Sequence, residues 1–185
     1  MAHLTKKAIQ HAFIRLLEEK SFDKITVKDI VETCEINRNT FYYYYEDIYD
    51  LLREVLAVET ETILGKHQSF ASWEDGVVEG IRFALDHRTA LNHIYHSVNR
   101  EYLERYLNQV IGYIMRDFVT QEAEGLKVSE ADLDLVARFY ANAVVGAVIS
   151  WIQNDMKSDP EAEVRRIGEL VEGSIRMALE RAATE

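Results

Sequence analysis

The stretch NRNTFYYYYEDIYDLL, residues 37–52, sets four consecutive tyrosines beside an arginine and two asparagines in a chain of net charge −11. Four successive residues on a helix sweep through roughly 300°, so these rings cannot all meet one core. Phe41 and Tyr45 fall four apart on one face, continued by Ile48 and Leu52 across the next bend, and form the expected inward set. Arg38, Asn39, Tyr42 and Tyr43 then lie on the opposite side. That side combines a bidentate donor, a side-chain amide and two phenols, all able to bond phosphates or base edges in a major groove.

Upstream, Thr26 and Asp29 have the spacing of a capping box, which opens a short helix over about 26–34 with Val27, Ile30, Val31 and Cys34 inward. The bend CEIN follows, and Asn37 is the expected N-cap of a two-turn helix over about 38–45. A short helix, a tight bend and a polar-aromatic helix make the sequence form of a helix-turn-helix, whose second helix enters DNA. The same spacing also fits a short helix whose exposed Tyr and Asn are simply solvated.

These residues carry a resemblance. Residues 5–56, through the opening helix, FDKITVKDIVETCEINRNTFYYYYEDIYDLL and its TFYYYY core, resemble the N-terminal DNA-binding domain of the tetracycline-repressor (TetR) family of bacterial regulators. The RNTFYYYYEDIYDLL version is also similar to the branch that includes regulators of dihydroxyacetone kinase operons. The resemblance implies Arg38, Asn39 and Thr40 near base edges, Tyr42 and Tyr43 on phosphates and thymine methyls, and Tyr44 at a phosphate. It implies that Thr26 and Lys28 grip the backbone. Two departures stand out: Asn39 where the family commonly has Gly, and Ile48 where it commonly has Lys. Loss of that Lys should flatten the salt dependence of DNA binding by about one unit of slope.

The charge is unevenly spread. Residues 1–45 hold seven Lys/Arg against six Asp/Glu, whereas residues 46–185 hold fourteen against twenty-six, so a polyanion is tolerated only near the N-terminus. Hydrophobic residues are 48% and there is one proline, as expected of a folded, helix-rich protein. No uncharged apolar run approaches the ~20 residues that span a bilayer, and MAHLTKKAIQ lacks the apolar core of a signal peptide, so a cytoplasmic protein with no membrane partner is expected. The single cysteine, Cys34, excludes an internal disulfide and reads as a small core residue.

Helical spacing runs through the whole chain, and about nine helices fit, an all-α fold. The expected domains are a three-helix DNA-binding domain at 1–46 and a ligand-sensing and dimerisation bundle at 47–185. Ser72 with Asp75 and Ser129 with Asp132 read as further capping boxes. Gly125 should close a long helix that begins near 99, and Pro160 should sit at the first position of a single last helix. Small and apolar residues on the helix at about 129–156 (Ala141, Val144, Val145, Val148, Ile152) and on the last helix (Ile167, Leu170, Val171, Ile175) are the expected dimer interface. Two such pairs would join in a four-helix bundle. The dimer would present two reading helices about 34–36 Å apart to successive turns of a palindromic operator.

Phe83, His87, Tyr95, His96, Tyr113, Phe118, Tyr140 and Asn142 are the candidate lining of an effector pocket. His93 and His96 sit three apart, but no carboxylate stands at a recognisable metal-site spacing, so neither a metal nor a cofactor is implied. No phosphate loop, nucleophile elbow or metalloprotease pattern occurs, which argues against an enzyme. The expected function is a dimeric, effector-responsive regulator binding an operator duplex, by the commoner family behaviour a repressor. The alternatives are a co-activator, a ligand-binding dimer with degenerate DNA binding, and a helical metalloenzyme.

Overall fold

The computed structural model describes residues 2–65, 72–98 and 100–183, and among them every regular element is helical. Ten α-helices occur: α1 (Ala2–Glu19), α2 (Val27–Thr33), α3 (Arg38–Tyr44), α4 (Ile48–Gly65), α5 (Trp73–Asp86), α6 (Arg88–Tyr95), α7 (Arg100–Glu122), α8 (Glu130–Gln153), α9 (Pro160–Val171) and α10 (Ser174–Ala182). A 3-10 turn at Phe22–Lys24 links α1 to α2.

The chain divides into two compact units, residues 1–61 with 86–103, and residues 62–85 with 104–185. The boundary expected at residue 46 falls in the α3–α4 turn, within the first unit. That unit is built on Ile9, Phe13, Phe22, Ile30, Phe41, Leu51 and Leu52, all without solvent exposure. Phe22 is its hinge pin, edge-on to Phe13 at 6.1 Å and to Tyr49 at 5.5 Å, the geometry that aromatic quadrupoles favour. Helix α6 packs on α1: His93 Nδ1 lies 2.6 Å from the Leu17 carbonyl, which places the ring proton on Nδ1.

In the second unit the core is Val77, Val78, Ile81, Ile114, Met115, Val119, Ala141, Val145, Ile152 and Leu179. Ser129 accepts from Asp132 N at 3.1 Å at the start of α8, and Asp159 accepts from Ala162 N at 3.2 Å ahead of Pro160 at the start of α9. Gly125 has φ 82°, the left-handed conformation in which a side chain is strained. Arg176 donates to the carbonyls of Glu122 and Glu124, at 2.5 and 3.0 Å, placing a cation on the negative end of α7.

The structure corrects two readings of the sequence. The last helix is two: Glu172 turns to extended backbone, Gly173 has φ 71°, and Ser174 Oγ donates to the Val171 carbonyl at 2.5 Å. Ala141, Val145, Ile152 and Ile175, expected at a dimer interface, are 1–5% exposed within this one chain, so they are already core. By length and composition alone α8 is the one described helix able to cross a bilayer, and 28% of its most apolar window is buried within the chain.

Candidate nucleic-acid interface

The first unit's helix-turn-helix is fixed by reciprocal caps. Thr26 N donates to Asp29 Oδ2 at 2.8 Å, and Asp29 N donates to Thr26 Oγ1 at 3.2 Å, so two orphan amides at the start of α2 are satisfied. Lys20 Nζ stands 3.0 Å from the same carboxylate. These partners, the Thr26 hydroxyl first and Lys20 next, lower the Asp29 pKa from 3.8 to about 2. The turn closes with Ile36 N on the Val31 carbonyl at 3.0 Å and passes through Glu35 at φ 53°. Asn37 Oδ1 then accepts from Thr40 N at 2.8 Å and starts α3.

Phe41 and Tyr45 wedge α3 from behind, with ring centroids 5.7 Å apart and exposures of 0% and 2%. Burial, and then the Glu54 carboxylate beside it, push the Tyr45 phenol above its ordinary pKa, so it stays neutral. The opposite side of α3 faces solvent. Arg38 and Asn39 are exposed, Tyr42 is 47% and Tyr43 80% exposed, and Thr40 and Tyr44 are half-buried. Arg38 Nη2 donates to the Tyr42 hydroxyl at 3.3 Å with its guanidinium 5.7 Å from the ring centroid, so both groups point the same way. Tyr43 and Tyr44 meet edge-on at 4.9 Å. Thr26 and Lys28 are exposed at the start of α2.

The position of Ile48 is half-buried at the first turn of α4, and its surroundings are acidic. Asp47 Oδ1 accepts from Tyr49 N and Asp50 N, both at 2.8 Å, and Asp50 Oδ2 accepts from Glu46 N at 3.1 Å. These carboxylates occupy a helix N-terminus that would otherwise attract a phosphate. Cys34 is half-buried; its thiol donates to the Ile30 carbonyl at 3.1 Å, and burial raises its pKa.

Two family models match the chain: one described as bacterial regulatory proteins, tetR family, over residues 9–55, and one described as transcriptional regulator C-terminal region over residues 71–173. The chain belongs to the TetR family of bacterial regulators. Among curated proteins it is 22% identical over 181 residues to the uncharacterized HTH-type transcriptional regulator YxbF of Bacillus subtilis, covering 92% of this chain and 46% of that protein. It is 26% identical over 80 residues, 43% of each chain, to the dhaKLM operon transcriptional activator DhaS of Lactococcus lactis. The chain thus spans less than half the length of the curated relatives it matches.

Solved structures share the fold. The dihydroxyacetone kinase operon activator DhaS superposes with a TM-score of 0.73 at 18% identity, covering 97% of this chain and 98% of that one. FadR of Bacillus subtilis, solved with stearoyl-CoA, gives 0.57 at 20% identity over 89% and 96%.

The residues expected to line one effector pocket in this TetR-family chain are divided between the two units. His87, Tyr95 and His96 belong to the first unit, where His87 lies 3.8 Å from Glu18, Tyr95 is buried, and His96 ends α6 with its backbone amide on the Asn92 carbonyl. Phe83, Tyr113, Phe118, Tyr140 and Asn142 belong to the second unit, where Tyr113 and Asn142 are exposed. Phe118 lines a polar cavity of about 560 Å³ with Arg165, Arg176, Glu74 and Glu169. Tyr140 lines a separate apolar cavity of about 360 Å³ between α5, α8 and α9, walled by Val144, Val148 and Val171. Val144, Val148 and Val171 had been expected at the dimer interface. Trp151, also a wall of this cavity, was missed because it continues the apolar stripe of α8 and reads from spacing as core.

Proposed function

We propose that this chain is a cytoplasmic bacterial transcription regulator that binds a palindromic operator as a homodimer and responds to a small-molecule effector held by the second unit. The observation that carries the reading is the two-sided α3. Buried Phe41 and Tyr45 anchor it, and Arg38, Asn39, Tyr42 and Tyr43 stand in solvent on a helix-turn-helix within the family's DNA-binding segment. Arg38, Asn39 and Thr40 serve base edges, Tyr42 and Tyr43 serve phosphates and thymine methyls, and Tyr44, Thr26 and Lys28 serve the phosphate backbone.

The dimer forms on the exposed apolar residues of the last bundle: Leu135 and Phe139 on α8, 55% and 69% exposed, with Ile167 and Leu170 on α9, 42% and 67% exposed. Small exposed residues between them, Ala143, Gly146 and Ala147, allow close approach of two α8 helices. An effector acts by favouring one separation of the two reading helices over another. Repression is the proposed sign. Activation is the second reading, because the relative DhaS is described as an activator.

The test is a gel shift with the DNA upstream of the gene, at several salt concentrations. Arg38→Ala should weaken specific binding by about tenfold or more, and Lys28→Ala should weaken all duplexes alike and reduce the salt slope by about one. Arg38→Ala and Tyr42→Ala variants that bind as tightly and selectively as the parent would refute the assigned reading face.

A further inference from the structure

The polar cavity that Phe118 lines lies in the second unit, between the start of α5, the end of α7, and α9 and α10. Its volume of about 560 Å³ is within the range of small-molecule sites, roughly 300–1,000 Å³. The two cations in its wall are already engaged inside the chain. Arg165 pairs with Asp75 at 3.4 Å, and Arg176 pairs with Glu180 at 3.2 Å while donating to the Glu122 and Glu124 carbonyls. Glu169 pairs with Arg166 at 2.6 Å. The carboxylates of Glu74, Glu122 and Glu172 have neither an ion pair nor a hydrogen bond among the described residues. The wall thus presents unmatched negative charge, in a part of the chain, residues 46–185, that holds fourteen Lys/Arg against twenty-six Asp/Glu. A cation is drawn to this space and an anion is repelled from it.

The rest of the wall says what kind of cation fits. Trp73, buried, and Phe118, half-buried, add aromatic surface beside the carboxylates. Aromatic faces attract cations, and alkylated ammonium groups, whose charge sits inside an apolar shell, match such a wall. Gly168 of α9 is buried, and a Cβ there would overlap the Glu74 carboxylate, so the absent side chain seats that group on the cavity wall. A metal ion is a poor match, since among the described residues no three His, Cys, Asp or Glu side chains converge to hold one. Carboxylates spread around a space of this size suit a cation that is itself large.

We infer that this polar cavity binds an organic cation of the alkylated ammonium class, with the Glu74 and Glu122 carboxylates countering its charge and Trp73 and Phe118 lying against its apolar shell. The inference rests on the effector-responsive reading above and gives the effector a chemical class. The site stays open in the proposed dimer. At about 100° per residue, Arg165, Gly168 and Glu172 lie on the side of α9 roughly opposite Ile167 and Leu170, the residues given to the second copy.

The full chain is titrated calorimetrically at neutral pH with three probes of one shape: para-hydroxyphenyl-trimethylammonium, para-tert-butylphenol, in which carbon replaces the charged nitrogen, and the anion para-tert-butylbenzoate. Saturable binding of the cation is expected, with the neutral and anionic probes each at least about tenfold weaker. Glu74→Gln and Glu122→Gln should each weaken the cation by about threefold or more and leave the neutral probe unchanged. Phe118→Leu, which keeps an apolar wall but removes the ring, should weaken the cation by about threefold or more. Gly168→Ala, whose new methyl displaces the Glu74 carboxylate, should weaken it as Glu74→Gln does, with the helical circular dichroism retained.

Neutral or anionic probe binding as tightly as the cation overturns the proposal, as do Glu74→Gln and Glu122→Gln variants that both bind the cation like the parent. So does displacement of the bound cation by magnesium at equal concentration, since the carboxylates would then form a metal-ion site. DNA binding is scored separately. A chain that selects its operator but ignores all three probes overturns this inference alone, whereas saturable cation binding without DNA binding supports the cavity and refutes the regulatory reading.

Discussion

Replacing Asp29 by Asn isolates the cap that holds α2 in place. The parent carboxylate receives Thr26 N at 2.8 Å and the Thr26 hydroxyl at 2.7 Å, and it pairs with Lys20 at 3.0 Å. A carboxyl held at about 2 against an ordinary 3.8 corresponds to at most about 2.5 kcal/mol of folding free energy. Its side chain is 30% exposed, so water screens much of this, and the usual worth of a capping residue, roughly 1 kcal/mol, is the better expectation. Because the folded-state pKa is lowered, the contribution is fully present above the ordinary carboxylate value and is lost as pH falls from about 4 to about 2. Urea unfolding should be followed by far-ultraviolet circular dichroism, since both tryptophans lie in the second unit and would miss the first. The variant should be less stable by about 1 kcal/mol near neutral pH, with the gap shrinking as the parent carboxyl is protonated. Equal stability at neutral pH, or a gap unchanged at the acid end, would refute the assignment of the low pKa to this cap.

Two further substitutions probe other parts of the account. Phe41→Ala removes a fully buried ring behind α3 and should cost about 3–5 kcal/mol in the same assay; a cost below about 1 kcal/mol would mean that the wedge is not what fixes the reading helix. Leu170→Asp puts a charge on an exposed apolar position of α9, so sedimentation should show monomer while the helical signal is unchanged; an unaltered dimer would move the interface elsewhere.

The helix-turn-helix was legible because its determinants are local. Thr26 and Asp29, Asn37 and Thr40, and Phe41 and Tyr45 are all three or four residues apart, and the structure pairs each of them. The break between α9 and α10 was not legible, since Val164, Val171, Ile175 and Leu179 keep helical spacing straight across it and only Gly173 marks the left-handed turn. The docking of α6 on α1 was not legible either, since the contact of His93 with Leu17 spans 76 positions. On α8, apolar residues surround the whole helix, so spacing could not separate the inward Ala141, Val145 and Ile152 from the outward Ala143, Gly146 and Ala147.

The central claim is that the solvent side of α3 lies against duplex DNA. Tyr43, 80% exposed at its middle, and Phe139, 69% exposed on α8, are each replaced in turn by the photoreactive residue p-benzoylphenylalanine, and the full chain is irradiated with the upstream duplex. Crosslinks to DNA from position 43, competed by unlabelled upstream duplex and absent from position 139, are the predicted result; DNA crosslinks from position 139 alone, or from neither, would contradict it.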